Sequence, residues 1–143
     1  MGVDPIAISR SALDVEWQRM QIIAQNLANQ NTSRVPGGGT FRSLRLVSGP
    51  AGDFAQLVEP GHRVGDPRGI RVIAVEAQQS SVRRVYDPAH PDAGQDGFVS
   101  YPNVNHAEEM ALLVRTARVY ESNLTAMSLA QKMNMRALEL GRR

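Results

Sequence analysis

Between residues 105 and 140 the chain reads NHAEEMALLVRTARVYESNLTAMSLAQKMNMRALEL. Met110, Leu113, Ala117, Tyr120, Leu124 and Met127 recur there at alternating steps of three and four, the spacing of a coiled-coil seam. A second row, Leu112, Val119, Ala126, Met133 and Leu140, lies about 100° round the same helix. Glu108 and Glu109 stand in the first turn, where carboxylates complement the helix dipole. Gly141 follows as a stop signal, and Arg142 and Arg143 suit the negative end. The pattern predicts one long helix with a wide apolar arc.

A second helix is predicted over residues 5–29. Asp4 precedes Pro5, a capping residue followed by the proline that suits a first helical position. Ile6, Leu13, Met20 and Leu27 recur every seven residues, and Trp17, Ile23 and Ala24 share their face. Ile8, Ala12, Val15 and Ile22 make an apolar row on the opposite side, so this helix needs two neighbours. Asn29, Asn31, Thr32, Ser33, Pro36 and Gly37 to Gly39 then break the helix.

The middle of the chain changes period. Phe41 to Val47 and Gly69 to Val75 alternate partly and are rich in β-branched residues, as strands are. Val82 to Tyr86 is a shorter candidate. Gly49 to Gly69 reads as a loop or long hairpin connection. Asp87 to Asn105 is a Pro-, Asp- and Gly-rich excursion enclosing Phe98 to Tyr101. The expected fold is α+β. Residues 1–33 carry the N-terminal helix, 34–102 a small β-rich insert, and 103–143 the C-terminal helix. The two helices expose more apolar surface than they and the insert can cover, which implies assembly.

Composition narrows the function. The chain has 143 residues, 42% apolar, with a net charge of +2. It has no Cys, so disulfides, thiolate metal sites and thiol catalysis are excluded. No segment approaches the ~20 apolar residues of a membrane span, and the N-terminus lacks the features of a cleaved signal peptide. Lys132 is the only Lys among 16 basic residues.

His90 with Asp87, Asp92 and Asp96 could suggest a metal. As a calcium loop, residues 92–103 fail: Gly94 holds the third position and Asn103 the last, where a bidentate Glu is needed. The reading is a turn-rich loop held by Asx bonds, with no metal and no cofactor. His62, His90 and His106 have no accompanying nucleophile motif, so no enzyme is expected. Pro36 to Gly39 lacks the ending of a phosphate loop. Arg42, Arg45, Arg83 and Arg84 come with no nucleic-acid motif. Arg115, Arg118 and Glu121 form either a solvated face or a subunit contact. The helix-spaced methionines read as core or adaptable interface.

Three strings carry a resemblance. Gln25-Asn-Leu-Ala-Asn-Gln-Asn-Thr32 ends the first helix and resembles the signature of bacterial flagellar rod, hook and hook-associated axial proteins. Val85-Tyr-Asp-Pro-Ala-His-Pro-Asp-Ala93 and Gly97-Phe-Val-Ser-Tyr-Pro-Asn-Val-Asn105 resemble the proximal-rod type within that family. So do Glu109-Met110, Ala117-Arg-Val-Tyr-Glu-Ser-Asn123 and the tail from Met133 to Gly141. The resemblance spans residues 5–33 and 69–141.

The resemblance implies a non-enzymatic subunit of the flagellar basal body. It would leave the cytoplasm through the flagellar type III export apparatus and polymerise across the periplasm into a drive shaft. Its neighbours would be copies of itself, other rod proteins and the rotor-ring adaptor, with no nucleic acid and no membrane insertion. The terminal helices would pair as a coiled coil and the insert would form an outer domain. Leu13, Trp17, Met20, Ile23 and Leu27 would face Met110, Leu113, Ala117, Tyr120, Leu124 and Met127 in its core. The other face of the first helix would meet adjacent subunits. Asn26, Asn29, Asn31 and Thr32 would cap the first helix and set the exit of the chain, and Asn103 and Asn105 would cap the second. Tyr86, Asp87, His90 and Asp92 would hold the loop that docks the insert or touches the next subunit. The competing readings are a coiled-coil adaptor that forms no filament and another rod or hook component of the same family.

Overall fold

The computed structural model describes residues 4–52, 69–79 and 82–141. Most of the Gly49 to Gly69 connection lies outside the described residues, as do His62, Arg142 and Arg143. Helix α1 runs Pro5–Ala28. Asp4 caps it by accepting the Ile6 N–H at 3.0 Å, and Pro5 sits where its missing N–H costs nothing. Asn29 closes it: its backbone N–H and its side-chain amide both donate to the Gln25 carbonyl, at 3.1 and 2.9 Å. Thr32 then donates to Asn29 from its N–H and its hydroxyl. Helix α2 runs His106–Leu140, with the Asn105 side chain accepting from the N–H groups of Ala107 and Glu108. It ends at Gly141, whose φ of −75° is right-handed, so the glycine stops the helix without a left-handed turn.

The two helices pack side by side. Asn26 meets Glu109 and Trp17 meets Tyr120, so sequence rises along α1 as it falls along α2, an antiparallel pair. At about 1.5 Å per residue, α1 is near 36 Å long and α2 near 52 Å. The surplus lies at the C-terminal end of α2, where every residue from Gln131 to Gly141 is exposed.

Strands β1 (Leu44–Pro50) and β2 (Ile70–Ala77) form an antiparallel ribbon, in register from Leu44 opposite Ala77 to Pro50 opposite Ile70. A bulge falls between Val47 and Ser48. The sequence places the first strand at Phe41 to Val47; pairing instead begins three residues later. Ser43 ends the approach by accepting the Gln78 N–H at its carbonyl, 2.8 Å away, and Asn26 clamps the backbone of Leu44. Strands β3 (Arg83–Tyr86) and β4 (Phe98–Tyr101) form a second hairpin, with Val99 fully buried. The sequence places Phe98 to Tyr101 inside an irregular excursion; in the structure it is a paired strand.

The side of α1 that carries the second apolar row, expected to meet adjacent subunits, packs instead in part on the chain's own β1–β2 ribbon, with Val15 buried and Ile8, Ala12 and Ile22 half-buried. Ser11, Arg19 and Asn26 bracket Val15 on that side, and all three bond the ribbon. The Ser11 hydroxyl accepts the Ile70 N–H at 3.1 Å, and Arg19 donates to the Leu46 carbonyl at 3.2 Å and the Ser48 hydroxyl at 2.9 Å. Polar residues thus fix the ribbon on α1 while Val15 and Leu46 are buried.

Candidate functional site

A buried polar junction lies where α1, α2 and β1 meet. The Asn26 amide bonds the backbone of Leu44 twice. It accepts the Leu44 N–H at 2.8 Å and donates to the Leu44 carbonyl at 2.9 Å, as a neighbouring strand would. The same amide nitrogen donates to Glu109 Oε2 at 3.2 Å. The other carboxylate oxygen of Glu109 lies 2.7 Å from Arg45 Nη1, a close ion pair whose angle falls short of an aligned hydrogen bond. Asn26 and Glu109 are both buried. Asn26, expected from the sequence to cap α1, therefore does not cap it; Asn29 does. Glu109 is more than a dipole partner: it is a buried charge held by two other elements. Neither role is signalled by residue type alone. The available clue is phase: Glu109, Leu113, Thr116, Tyr120, Asn123 and Met127 also alternate four and three.

That phase is the one α2 turns toward α1. Glu109 and Thr116 are buried, and Leu113, Ala117, Tyr120, Asn123 and Met127 are half-buried. On α1, Leu13 and Ile23 are buried and Met20 and Leu27 half-buried. Trp17 touches Tyr120, ring centroids 6.4 Å apart, yet is 54% exposed; Met110 and Leu124 are 40% and 41% exposed. Within one chain these three sit at the rim of the helix contact and not in a closed core. Glu109 turns inward to Asn26 and Arg45, and the adjacent Met110 faces outward.

The outward side of α2 is consequently apolar. Met110, Val114 and Val119 line an open groove of about 700 Å³ with Arg115 and Arg118 on it. Leu129, Met133, Met135, Leu138 and Leu140 are also exposed, on several sides of the helix toward its end. Burial of such side chains is worth about 25 cal/mol per Å² of apolar area, so this surface favours association.

The β3–β4 connection docks through Asp92. Its carboxylate accepts the Ser33 hydroxyl at 2.7 Å and lies 3.5 Å from Arg34 Nη1. Asp87 accepts the Ala89 N–H, and the Asp92 N–H donates to His90 Nδ1 at 3.1 Å. Asp96 accepts the Phe98 N–H and pairs with Arg84; these contacts hold its carboxyl below the usual range. Tyr86 is exposed, edge-on to Phe98 at 5.2 Å. Asn31 and Asn103 are exposed outside either helix, and Asn103 caps nothing, since Asn105 holds that place. Among the described residues no three His, Asp or Glu gather as metal ligands. Nor is any helix there long and apolar enough to cross a membrane.

Residues 95–140 match the flagellar basal body rod FlgEFG protein C-terminal family. The chain is 35% identical to the flagellar basal-body rod protein FlgC of Bacillus subtilis, over 94% of this chain and 95% of that one. It is 32% identical to FlgC of Borreliella burgdorferi, over 94% of each. For FlgC of Salmonella typhimurium the identity is 31%, over 94% and 93%. The chain belongs to the FlgC family of flagellar basal-body rod proteins.

Proposed function

We propose that this chain is a non-enzymatic structural subunit of the proximal rod of the bacterial flagellum, polymerising through its terminal helices into the shaft that carries torque from rotor to hook. The observation that carries this is the set of exposed apolar side chains on α2, from Met110 to Leu140, on a chain of FlgC ancestry. Its family places it in the basal body, where the rod crosses the periplasm. Residues 1–33 and 103–143 supply the inner, coiled-coil layer of that rod, and residues 34–102 the outer part.

In this reading Leu13, Met20, Ile23, Leu27, Leu113, Ala117, Tyr120 and Met127 join the subunit's own helices. Trp17, Met110 and Leu124, at the rim, complete the seam against neighbouring subunits. Arg115 and Arg118, beside the α2 groove, serve as subunit contacts. The loop of Tyr86, Asp87, His90 and Asp92 holds the insert at its angle. Partners are copies of this chain, other rod proteins and the rotor-ring adaptor, reached by way of the flagellar type III export apparatus.

Purification of basal bodies from cells carrying an epitope-tagged chain tests this. The tagged chain is expected to stay with the rod after the outer rings are stripped by acid. Its loss with the soluble fraction would contradict the proposal.

A further inference from the structure

Apolar packing alone fixes the sliding position of α2 on α1 poorly. The covered face of α2 repeats at one heptad: Leu113, Tyr120 and Met127 follow one another, as do Glu109, Thr116 and Asn123. On α1, Leu13, Met20 and Leu27 repeat in the same way. Sliding α2 by seven residues, about 10 Å, puts apolar side chains opposite apolar side chains again.

One position breaks the repeat. Glu109 reaches both Asn26 Nδ2 on α1 and Arg45 Nη1 on β1. Asn26 is itself fixed, because its amide is bonded twice to the backbone of Leu44. After a one-heptad slide, Thr116 would stand where Glu109 stands, too short and uncharged to answer Arg45. In the opposite direction the place falls to Pro102, outside the helix. Either slip strands a largely covered guanidinium without its carboxylate, the situation in which one buried polar group selects a register.

We propose that Glu109, held by Asn26 and Arg45, is the register pin of this molecule: it sets the axial position of α2 against α1 and so the length of α2 left overhanging. The pin acts within one chain, so it holds whether or not the chain builds a rod.

The native chain has no cysteine, so Arg10→Cys and Glu139→Cys on exposed positions accept two spin labels cleanly. Pulsed electron–electron resonance on the full chain is expected to give one narrow distance. Adding Glu109→Ala is expected to add a second population, shorter by up to about 10 Å, the rise of one heptad. Glu109→Gln keeps a partner for Asn26 but loses the charge, and is expected to show a smaller second population. Asp92→Ala frees the insert loop and is expected to leave the single distance in place. An unchanged single distance in Glu109→Ala would overturn the proposal. So would a broad, featureless distribution in that variant, which would make Glu109 a general support of the fold, or a shift in Asp92→Ala alone. Several distances in the parent chain would also overturn it.

Discussion

The side-chain amide of Asn26 stands in for a strand residue, bonding both backbone groups of Leu44 from the side of a helix. Truncating it would remove the partner of two part-buried backbone groups and release the Glu109 carboxylate on one side. Asn26→Ala is therefore expected to destabilise the fold by about 3 kcal/mol, since each buried polar group left unsatisfied costs about 1–3 kcal/mol. Chemical denaturation of both proteins checks this, and a loss below about 1 kcal/mol would mean that water replaces the amide. Asp96 offers a test by pH. The Phe98 N–H first and Arg84 second favour its charged form, so its folded pKa lies below the value in the unfolded chain. The resulting stabilisation is present above the ordinary carboxylate range and disappears as pH falls through the folded pKa. Asp96→Asn should thus blunt the acid-induced loosening of the β3–β4 hairpin. Amide chemical shifts of Phe98 followed from about pH 5 to about pH 2 would show it. An identical acid transition in both proteins would refute the assignment.

At the scale of elements, both helices were legible because their apolar residues repeat over many turns and their caps are of ordinary type. Asp4, Pro5 and Asn105 mark starts that the structure keeps. The strands were less legible. Phe41 to Val47 alternates as well as Leu44 to Pro50 does, and the choice between them is made by Asn26, far away in sequence. The rotation of α2 was hidden for a similar reason. Pattern reading ranks Met110 above Glu109 for burial, and only tertiary partners on α1 and β1 reverse the order. The ribbon also depends on one backbone position. Gly69 has φ +81° and approaches Ser11 so closely that an added Cβ would collide with its hydroxyl oxygen. Gly69→Ala must move Ser11, which accepts the Ile70 N–H. We expect a cost of about 2 kcal/mol from strain and the disturbed bond. Hydrogen exchange localised to β2 is the measurement, and unaltered protection there would show that the ribbon adapts.

At the scale of the whole molecule, α1 has both faces occupied, by α2 and by the ribbon, whereas α2 has one. In the rod proposed above, association would therefore run chiefly through α2 and its overhang. Leu124, 41% exposed in the single chain, separates folding from assembly. Leu124→Asp should fold with stability within about 1 kcal/mol of the parent, because its side chain still reaches water. It should nevertheless fail to restore swimming, since a carboxylate buried between subunits costs several kcal/mol. Normal motility with that variant would remove Leu124 from any subunit interface.

The most direct measurement is electron cryotomography of cells lacking this gene. The account predicts basal bodies stalled at the membrane ring, with neither rod nor hook, and recovery when the parent chain is restored. Complete hooks and filaments in the deleted cells would contradict it.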